Sequence, residues 1–384
     1  MLLRKLYYYH RLSNTQYLSD EKLEERQERL LSQMRSLALQ TDFYDQETAE
    51  TTRQDVIENF PDNLTIDPEQ ARKKYLSSGS SGDRITSVFD RQAWDYSEAA
   101  YLRALRATRF NPLKKTLYYW YEDFKDSLLN RAFMRKKRVS CEAPLDKQLE
   151  AINGYRPDYL YYYPSMLFTL AKYISGYGKD VHFPDAIYTH GELLTEKMRE
   201  KIEETFNAPV YDRYSSAEFN VIGWECENQN MHLNSDMMHF SREEVREGEE
   251  LKITSLINSA MPLLQYRTGD IVSSTECGCG RNLETVKIMG RKQDFISTEN
   301  ALIKPSEMID SIADIDALLH FRVVKSDNSF TLRYVENKSF EDKALSNARR
   351  RLEDLTGHRF KTEKLEKVRP LNRGKLPMVI NDDR

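Results

Sequence analysis

Apolar and polar positions divide the chain into a helical opening, an alternating α/β middle and a β-rich end. Within the first 60 residues, Leu23, Leu30, Met34 and Leu37 recur at helical spacing after Ser19, whose hydroxyl can cap the helix. Such a stripe is a packing face. Pro61-Asp62-Asn63 breaks the pattern, and a short helix is predicted to end near Lys74. Ile85 to Phe89 then reads as a strand, Trp94 to Arg109 as a helix, and Leu117-Tyr118-Tyr119-Trp120-Tyr121 as a buried aromatic strand. Strand and helix signals alternate from there: Tyr159 to Tyr163, Ser165 to Ile174, Ala186 to Thr189, Thr195 to Phe206, and a short strand from Val210 to Tyr214. Strands spaced by helices of this length predict parallel pairing in an α/β domain.

From Glu249 the pattern becomes β, with strands expected at Leu251 to Leu256, Leu264 to Arg267 and Val286 to Met289. Beyond Asp294, a hairpin around Asp327-Asn328, a helix from Phe340 to Leu355 and a charged strand describe a small α+β unit. The expected organisation is a helical segment (1–70), a large α/β domain with sheets flanked by helices (71–293) and a mobile lid (294–384).

Composition narrows the partners. The chain has 384 residues, enough for more than one core, since single cores stop growing near roughly 250–300 residues. A net charge of −4 supplies no basic footprint for nucleic acid. No run approaches the ~18 apolar residues that a membrane helix needs, and the opening Met1-Leu2-Leu3-Arg4-Lys5-Leu6 is too short for a signal peptide. A cytoplasmic protein is expected, with no membrane partner and the oligomeric state, including a homodimer, left open. The basic run Arg135-Lys136-Lys137-Arg138 reads first as a solvated face.

Four short segments carry chemistry. Ser77-Ser78-Gly79-Ser80-Ser81-Gly82-Asp83 is rich in hydroxyls and glycine, so amide and hydroxyl donors can converge on an anion; a flexible linker is the alternative. It is not a Walker loop, because Asp83 stands where Lys-Ser/Thr would begin. In Tyr266-Arg267-Thr268-Gly269-Asp270, an aspartate after a tight glycine turn can accept both hydroxyls of a ribose. Gly290-Arg291 offers a guanidinium for the same sugar or a phosphate. Lys375, in Arg373-Gly374-Lys375 on a mobile tail, can reach an acyl phosphate when that tail closes.

In this order and spacing, these segments with Tyr214 to Glu218 resemble the motif series of the adenylate-forming superfamily of acyl- and aryl-coenzyme A ligases. Pro157 to Pro164-Ser165 and Gly191-Glu192-Leu193-Leu194 are similar to the branch of phenylacetate–coenzyme A ligase and its capsular-polysaccharide-associated relatives. The resemblance covers about residues 70–384. It implies adenylation of a carboxylic acid, an aryl acid favoured, by ATP, then transfer of the acyl group, most simply to coenzyme A. It further implies that Ser78, Gly79, Ser80, Ser81 and Gly82 cradle pyrophosphate and that Tyr214 with Ser215 lies beside adenine. By the same resemblance Glu218 binds magnesium, Asp270 and Arg291 hold the ribose, Lys375 bridges carboxylate and α-phosphate, and the hinge lies near Gln293-Asp294. The pattern departs from the family at Asp83, Ser215 and Ala217, and at Asn300 and Leu302 near the expected thioester site. Transfer to an amine, hydroxyl or carrier protein, as in polysaccharide biosynthesis, is the alternative; so is a nucleotide-binding member without turnover.

Cys226, His232, Cys277 and Cys279 form a separate group, with Cys277-Gly278-Cys279-Gly280 making a tight knuckle. Three thiolates and an imidazole make a closed tetrahedral zinc set, which predicts a structural metal rather than a catalytic one. Disulfides are disfavoured in a reducing compartment. A zinc-stabilised interaction scaffold without ATP binding is a further alternative, and the resembled branch carries such clusters in many members.

Overall fold

The structure, a computed structural model, describes residues 2–45, 50–77, 84–121, 135–298, 301–326, 329–371 and 374–381. It is a mixed α/β fold whose chain divides into two compact units, Met1–Phe110 with Arg213–Ile288 and Asn111–Asp212 with Met289–Arg384.

In the first unit, antiparallel pairing runs through Met238–Val245, Gly248–Ser255 and Tyr266–Thr275, and again through Thr285–Arg291, Met231–Leu233 and Asn220–Glu225. One face packs the helix Arg91–Ala107 through Ala99, Ala100 and Ala104, in a core with Val221, Ile222, Trp224, Leu251 and Ile253. The helices Leu2–Thr15 and Asp20–Ala38 belong to this unit, and Leu12 enters its core. Ser19 precedes the second helix as expected, but its side chain makes no capping bond; Asp20 and Glu21 supply favourable charge in the first turn instead. Where a helix was expected to run to Lys74, Lys73–Leu76 is a strand paired antiparallel with Thr86–Phe89. The aromatic Tyr75, which packs against Phe89 and Trp94, favours the extended form.

In the second unit, Lys136–Ser140, Thr116–Trp120, Tyr159–Tyr162 and Ala186–His190 pair in parallel, in that order. The helices Leu145–Tyr155, Pro164–Tyr177 and Glu196–Phe206 supply the crossovers. The basic run lies on the edge strand of this sheet. A second sheet orders Phe360–Lys364, Ser329–Glu336, Leu318–Ser326 and Val379–Asn381, with the helix Asp342–Thr356. Its central hairpin is the expected one, although Asp327 and Asn328 lie outside the described residues. Residues 296–379 share one apolar core with residues 117–210; Leu167, Phe168, Ile312 and Phe321 all belong to it. Among the described residues, no helix is long and apolar enough to cross a membrane.

Candidate active site and a Cys/His cluster

The Ser/Gly loop is tied at its mouth. The Ser77 amide donates to Ile85 O at 2.8 Å, and the Ile85 amide donates to Ser77 Oγ at 2.9 Å, continuing the Lys73–Leu76 hairpin. Ser78, Gly79, Ser80, Ser81 and Gly82, with Asp83, lie outside the described residues.

Next to that mouth sits Glu218, in the turn between Val210–Ser216 and Asn220–Glu225, its side chain 7% exposed. Tyr266 donates its hydroxyl to Glu218 Oε1 at 3.2 Å, and Arg53 approaches the same oxygen at 3.4 Å. The other terminal nitrogen of Arg53 donates to Ser77 Oγ at 3.0 Å. One guanidinium therefore spans from the loop to the carboxylate. Its backbone is fixed by what precedes it. Thr51 bridges to Tyr266, its hydroxyl bonds to Leu264 O at 2.9 Å, and Thr52 caps the helix Arg53–Glu58 in a reciprocal box with Asp55. Sequence reasoning missed Arg53. The Thr52-x-x-Asp55 box was a readable signal for a helix start, but nothing in it says where the side chain goes.

In the same unit Tyr214 donates its hydroxyl to Asp270 Oδ2 at 2.5 Å, so two expected nucleotide residues meet directly. Gly269, at φ +72°, makes the turn that lets the Asp270 amide reach Thr268 Oγ1 at 3.0 Å. Ser215 follows Tyr214 at a bulge in the ladder with Asn220–Glu225. Arg267 of the same motif faces away from this chemistry, into a network with Glu50, Glu243 and the buried Glu250.

Lys375 belongs to the second unit and is docked there. Its Nζ donates to Gly191 O at 2.6 Å, just past the end of the strand Ala186–His190. The next amide, of Leu376, donates to Glu192 Oε1 at 2.8 Å, while the Ser165 hydroxyl and amide serve Glu192 Oε2. Tyr119 donates its hydroxyl to Cys141 O at 3.0 Å and Gly374 O at 3.2 Å. Gly374 is required here: φ is +93°, and a Cβ would stand 2.3 Å from Cys141 Sγ. Burial pushes the Glu192 carboxyl above its usual range, while the Lys375 charge and these hydrogen bonds pull it back. Burial also raises the Cys141 thiol to about 11, which keeps it protonated and inert at neutral pH. His190 is buried among the rings of Trp120, Tyr161 and Tyr163, with centroids 4.9 to 5.5 Å away. Arg291 ends the strand Thr285–Arg291, exposed, after a Gly290 that lies against Pro305. Gln293-Asp294 form a single turn whose Gln293 carbonyl accepts from Asn381 at 3.3 Å. Asn300 and Arg373 lie outside the described residues.

Cys226, His232, Cys277 and Cys279 come together in the first unit, their ligand atoms all within 4.8 Å of one another. Cys226 Sγ lies 3.6 Å from Cys277 Sγ, and Cys279 Sγ lies 3.3 Å from His232 Nε2. Trp224 stacks on the His232 ring at 5.4 Å. Burial lowers His232 to about 4, so the imidazole is neutral and able to ligate. For Cys279, burial acts upward, but bonds from the backbone and side chain of Arg281 outweigh it and hold the thiol below its usual range. The donor chemistry and spacing suit one tetrahedral metal ion.

No family profile matches the chain. It is 24% identical over 318 residues to Protein CapK of Staphylococcus aureus, covering 72% of this chain and 69% of that protein. It is 25% identical over 292 residues to phenylacetate-coenzyme A ligase of Escherichia coli K12, covering 70% and 66%. The match thus spans about two thirds of the curated relatives' length. A solved 2-hydroxyisobutyryl-CoA ligase, in the postadenylation state with an acyl-AMP bound, shares the fold at TM-score 0.77 and 18% identity, over 95% of this chain and 90% of that one. By sequence relatives the chain is similar to the phenylacetate–coenzyme A ligase-like branch of adenylate-forming ligases, and it shares their fold.

Proposed function

We propose that the protein is an AMP-forming acid–thiol ligase. A carboxylate oxygen attacks the α-phosphorus of ATP, the bond to the β-phosphate oxygen breaks, and pyrophosphate leaves. The thiol of coenzyme A then attacks the acyl carbon of the acyl-adenylate; AMP departs with the carboxylate oxygen and the thiol proton passes to solvent. The observation that carries the reading is the docked Lys375 turn, its ammonium fixed at Gly191 O and its backbone gripped by Glu192 and Tyr119. A fixed cation stabilises charge developing on a phosphate without reorganising during the reaction.

Tyr214 and Asp270 hold the nucleoside in this reading, with Arg291 assisting at the ribose. Ser78, Gly79, Ser80, Ser81 and Gly82 receive the departing phosphates, and Glu218 holds the magnesium that accompanies ATP. Residues 294–384 act as the lid, turning near Gln293-Asp294 to release Lys375 before thioester formation. The rings of Trp120, Tyr163 and His190 beside Gly191 favour an aryl acid over a short aliphatic one. The Cys/His set holds one structural zinc ion, which ties Cys226 and His232 to the Cys277–Cys279 knuckle. The four cysteines form no disulfide with one another, which fits a reducing, cytoplasmic setting. The second reading keeps adenylation but passes the acyl group to an amine, hydroxyl or carrier protein, and Asn300 and Leu302 at the expected thioester site favour it.

The test mixes ATP with a panel of aryl and aliphatic acids and follows pyrophosphate. Release with an aryl acid, followed by a thioester once coenzyme A is added, is the expected result. Release without a thioester moves the second reading to the front, and no release with any acid removes both. Elemental analysis of the purified chain reads the metal separately: about one zinc per chain is expected, lost in His232→Ala.

A further inference from the structure

Arg53 lies outside every segment that carried the functional reading, yet it sits where a triphosphate would need a cation. Ser77 to Asp83 contains no lysine or arginine, and Asp83 adds an acid. Glu218 places a buried carboxylate beside the loop mouth. Pyrophosphate leaving beside Ser77 meets this carboxylate, and the loop sequence supplies no cation to offset it. Arg53 meets both sides of the problem. Its guanidinium bonds Ser77 Oγ at 3.0 Å and Glu218 Oε1 at 3.4 Å, and its side chain is 38% exposed, within reach of solvent and ligand. Its main chain is pinned by Thr51 and the Thr52–Asp55 box, so the side chain is aimed before any ligand arrives.

We propose that Arg53 is the pyrophosphate-binding cation of this enzyme: it pairs with Glu218 in the free protein and transfers to the β- and γ-phosphate oxygens when ATP binds. The inference rests on the adenylating reading and assigns the N-terminal segment a direct part in it. The planar fork of an arginine can hold two phosphate oxygens while keeping its approach along Ser77. Exchange of the 3.4 Å contact with Glu218 for a phosphate oxygen frees that carboxylate to face the metal ion of ATP. Arg84, exposed just after the loop, is the nearest competing cation in sequence, and it bonds to neither group here.

The distinguishing property is the number of phosphates on the ligand. Calorimetric titration of wild type, Arg53→Met, Arg53→Lys and Arg84→Met with magnesium pyrophosphate, ATP and AMP reads it. Arg53→Met is expected to weaken pyrophosphate and ATP by about 10- to 100-fold, the range for loss of charge-assisted hydrogen bonds. AMP affinity should stay within about twofold, Arg53→Lys should recover part of the loss, and Arg84→Met should lose less than about threefold. Thermal melts of each variant confirm that the chain is folded. Equal weakening of AMP and ATP would overturn the assignment, because Arg53 would then act only through the local structure. Pyrophosphate release by wild type, matched by Arg53→Met with unchanged ATP affinity, would overturn it while leaving the adenylating function standing. Wild type that binds neither ATP nor pyrophosphate would overturn both.

Discussion

Among the described residues, each compact unit holds a long basic side chain at 2% exposure or less, Arg103 in one and Lys172 in the other, and the two are neutralised in opposite ways. Arg103 lies in the helix Arg91–Ala107 and grips Asp236 with both terminal nitrogens, at 2.6 and 2.9 Å, while also reaching Asn234 and the Leu12 carbonyl. Burial acts to raise Asp236, but Arg103 outweighs it and holds the carboxyl below its usual range. Lys172 lies in the helix Pro164–Tyr177 and donates to the carbonyls of Ala313 and Ile315 at 3.1 and 2.8 Å, between the rings of Phe168 and Phe321. Burial pushes it down to about 7, so close to neutral pH it can occupy the site without its charge. The Arg103 pair locks the N-terminal helices to residues 234–236, since separating it would strand a buried charge. The Lys172 contact joins residues 313–315 to the crossover helix through neutral carbonyl acceptors, inside the apolar core the two segments share. Lys375 on Gly191 O and Tyr119 on Gly374 O use backbone carbonyls on the same seam, while the Leu376 amide uses the buried Glu192 carboxylate. One unit closes its buried cation with an ion pair and the other with neutral carbonyls.

The sharpest way to break this comparison is Asp236→Ala. Leaving Arg103 buried and unpaired should cost about 3–5 kcal/mol, read as a large drop in urea midpoint with the slope unchanged. A loss below about 1 kcal/mol would mean that the pair does not fasten the N-terminal helices. Lys172 is tested by pH. The folded chain sheds the Lys172 proton near 7 and the unfolded chain near its ordinary value of 10.5, so between these the unfolded state holds more protons. Stability should therefore rise with pH across that window, by up to about 1.4 kcal/mol per unit, and Lys172→Met should remove that slope. Identical pH profiles in the two proteins would place the charge elsewhere. The smallest effect belongs to Glu192→Gln, which keeps an acceptor for Leu376 N–H but removes the charge beside Lys375. Adenylation should slow by about 3- to 10-fold, the scale of one weakened charged contact, with ATP affinity unchanged; a weaker ATP complex would assign Glu192 to the nucleotide instead.

Much of the fold was legible because it follows local pattern. The crossover helices and parallel strands from Tyr159 to Phe206 appear where periodicity placed them, as does the terminal hairpin. The strand at Lys73–Leu76 was not, since its extended form depends on pairing with Thr86–Phe89 rather than on its own residues. Among candidate site residues, the sequence marked turns with unusual chemistry, and Tyr214 does meet Asp270, 56 positions away. It could not mark Arg53 or Tyr119. Their side chains act through long-range partners, Glu218 and Gly374, and an arginine in a capping box or a tyrosine in a strand looks ordinary until that partner is known. The cysteine cluster was readable because its ligand types are rare and their geometry is closed.

The central claim is that the Lys375 turn serves adenylation alone and is released afterwards. It is tested by assaying wild type and Lys375→Ala in each half-reaction: pyrophosphate release from ATP and an aryl acid, and thioester formation from preformed aryl-adenylate and coenzyme A. The account predicts that the first falls by at least about 100-fold, the scale for losing a group that stabilises developing charge, while the second is unchanged within a few-fold. Equal adenylation rates in the two proteins, or equal loss in both half-reactions, would contradict it.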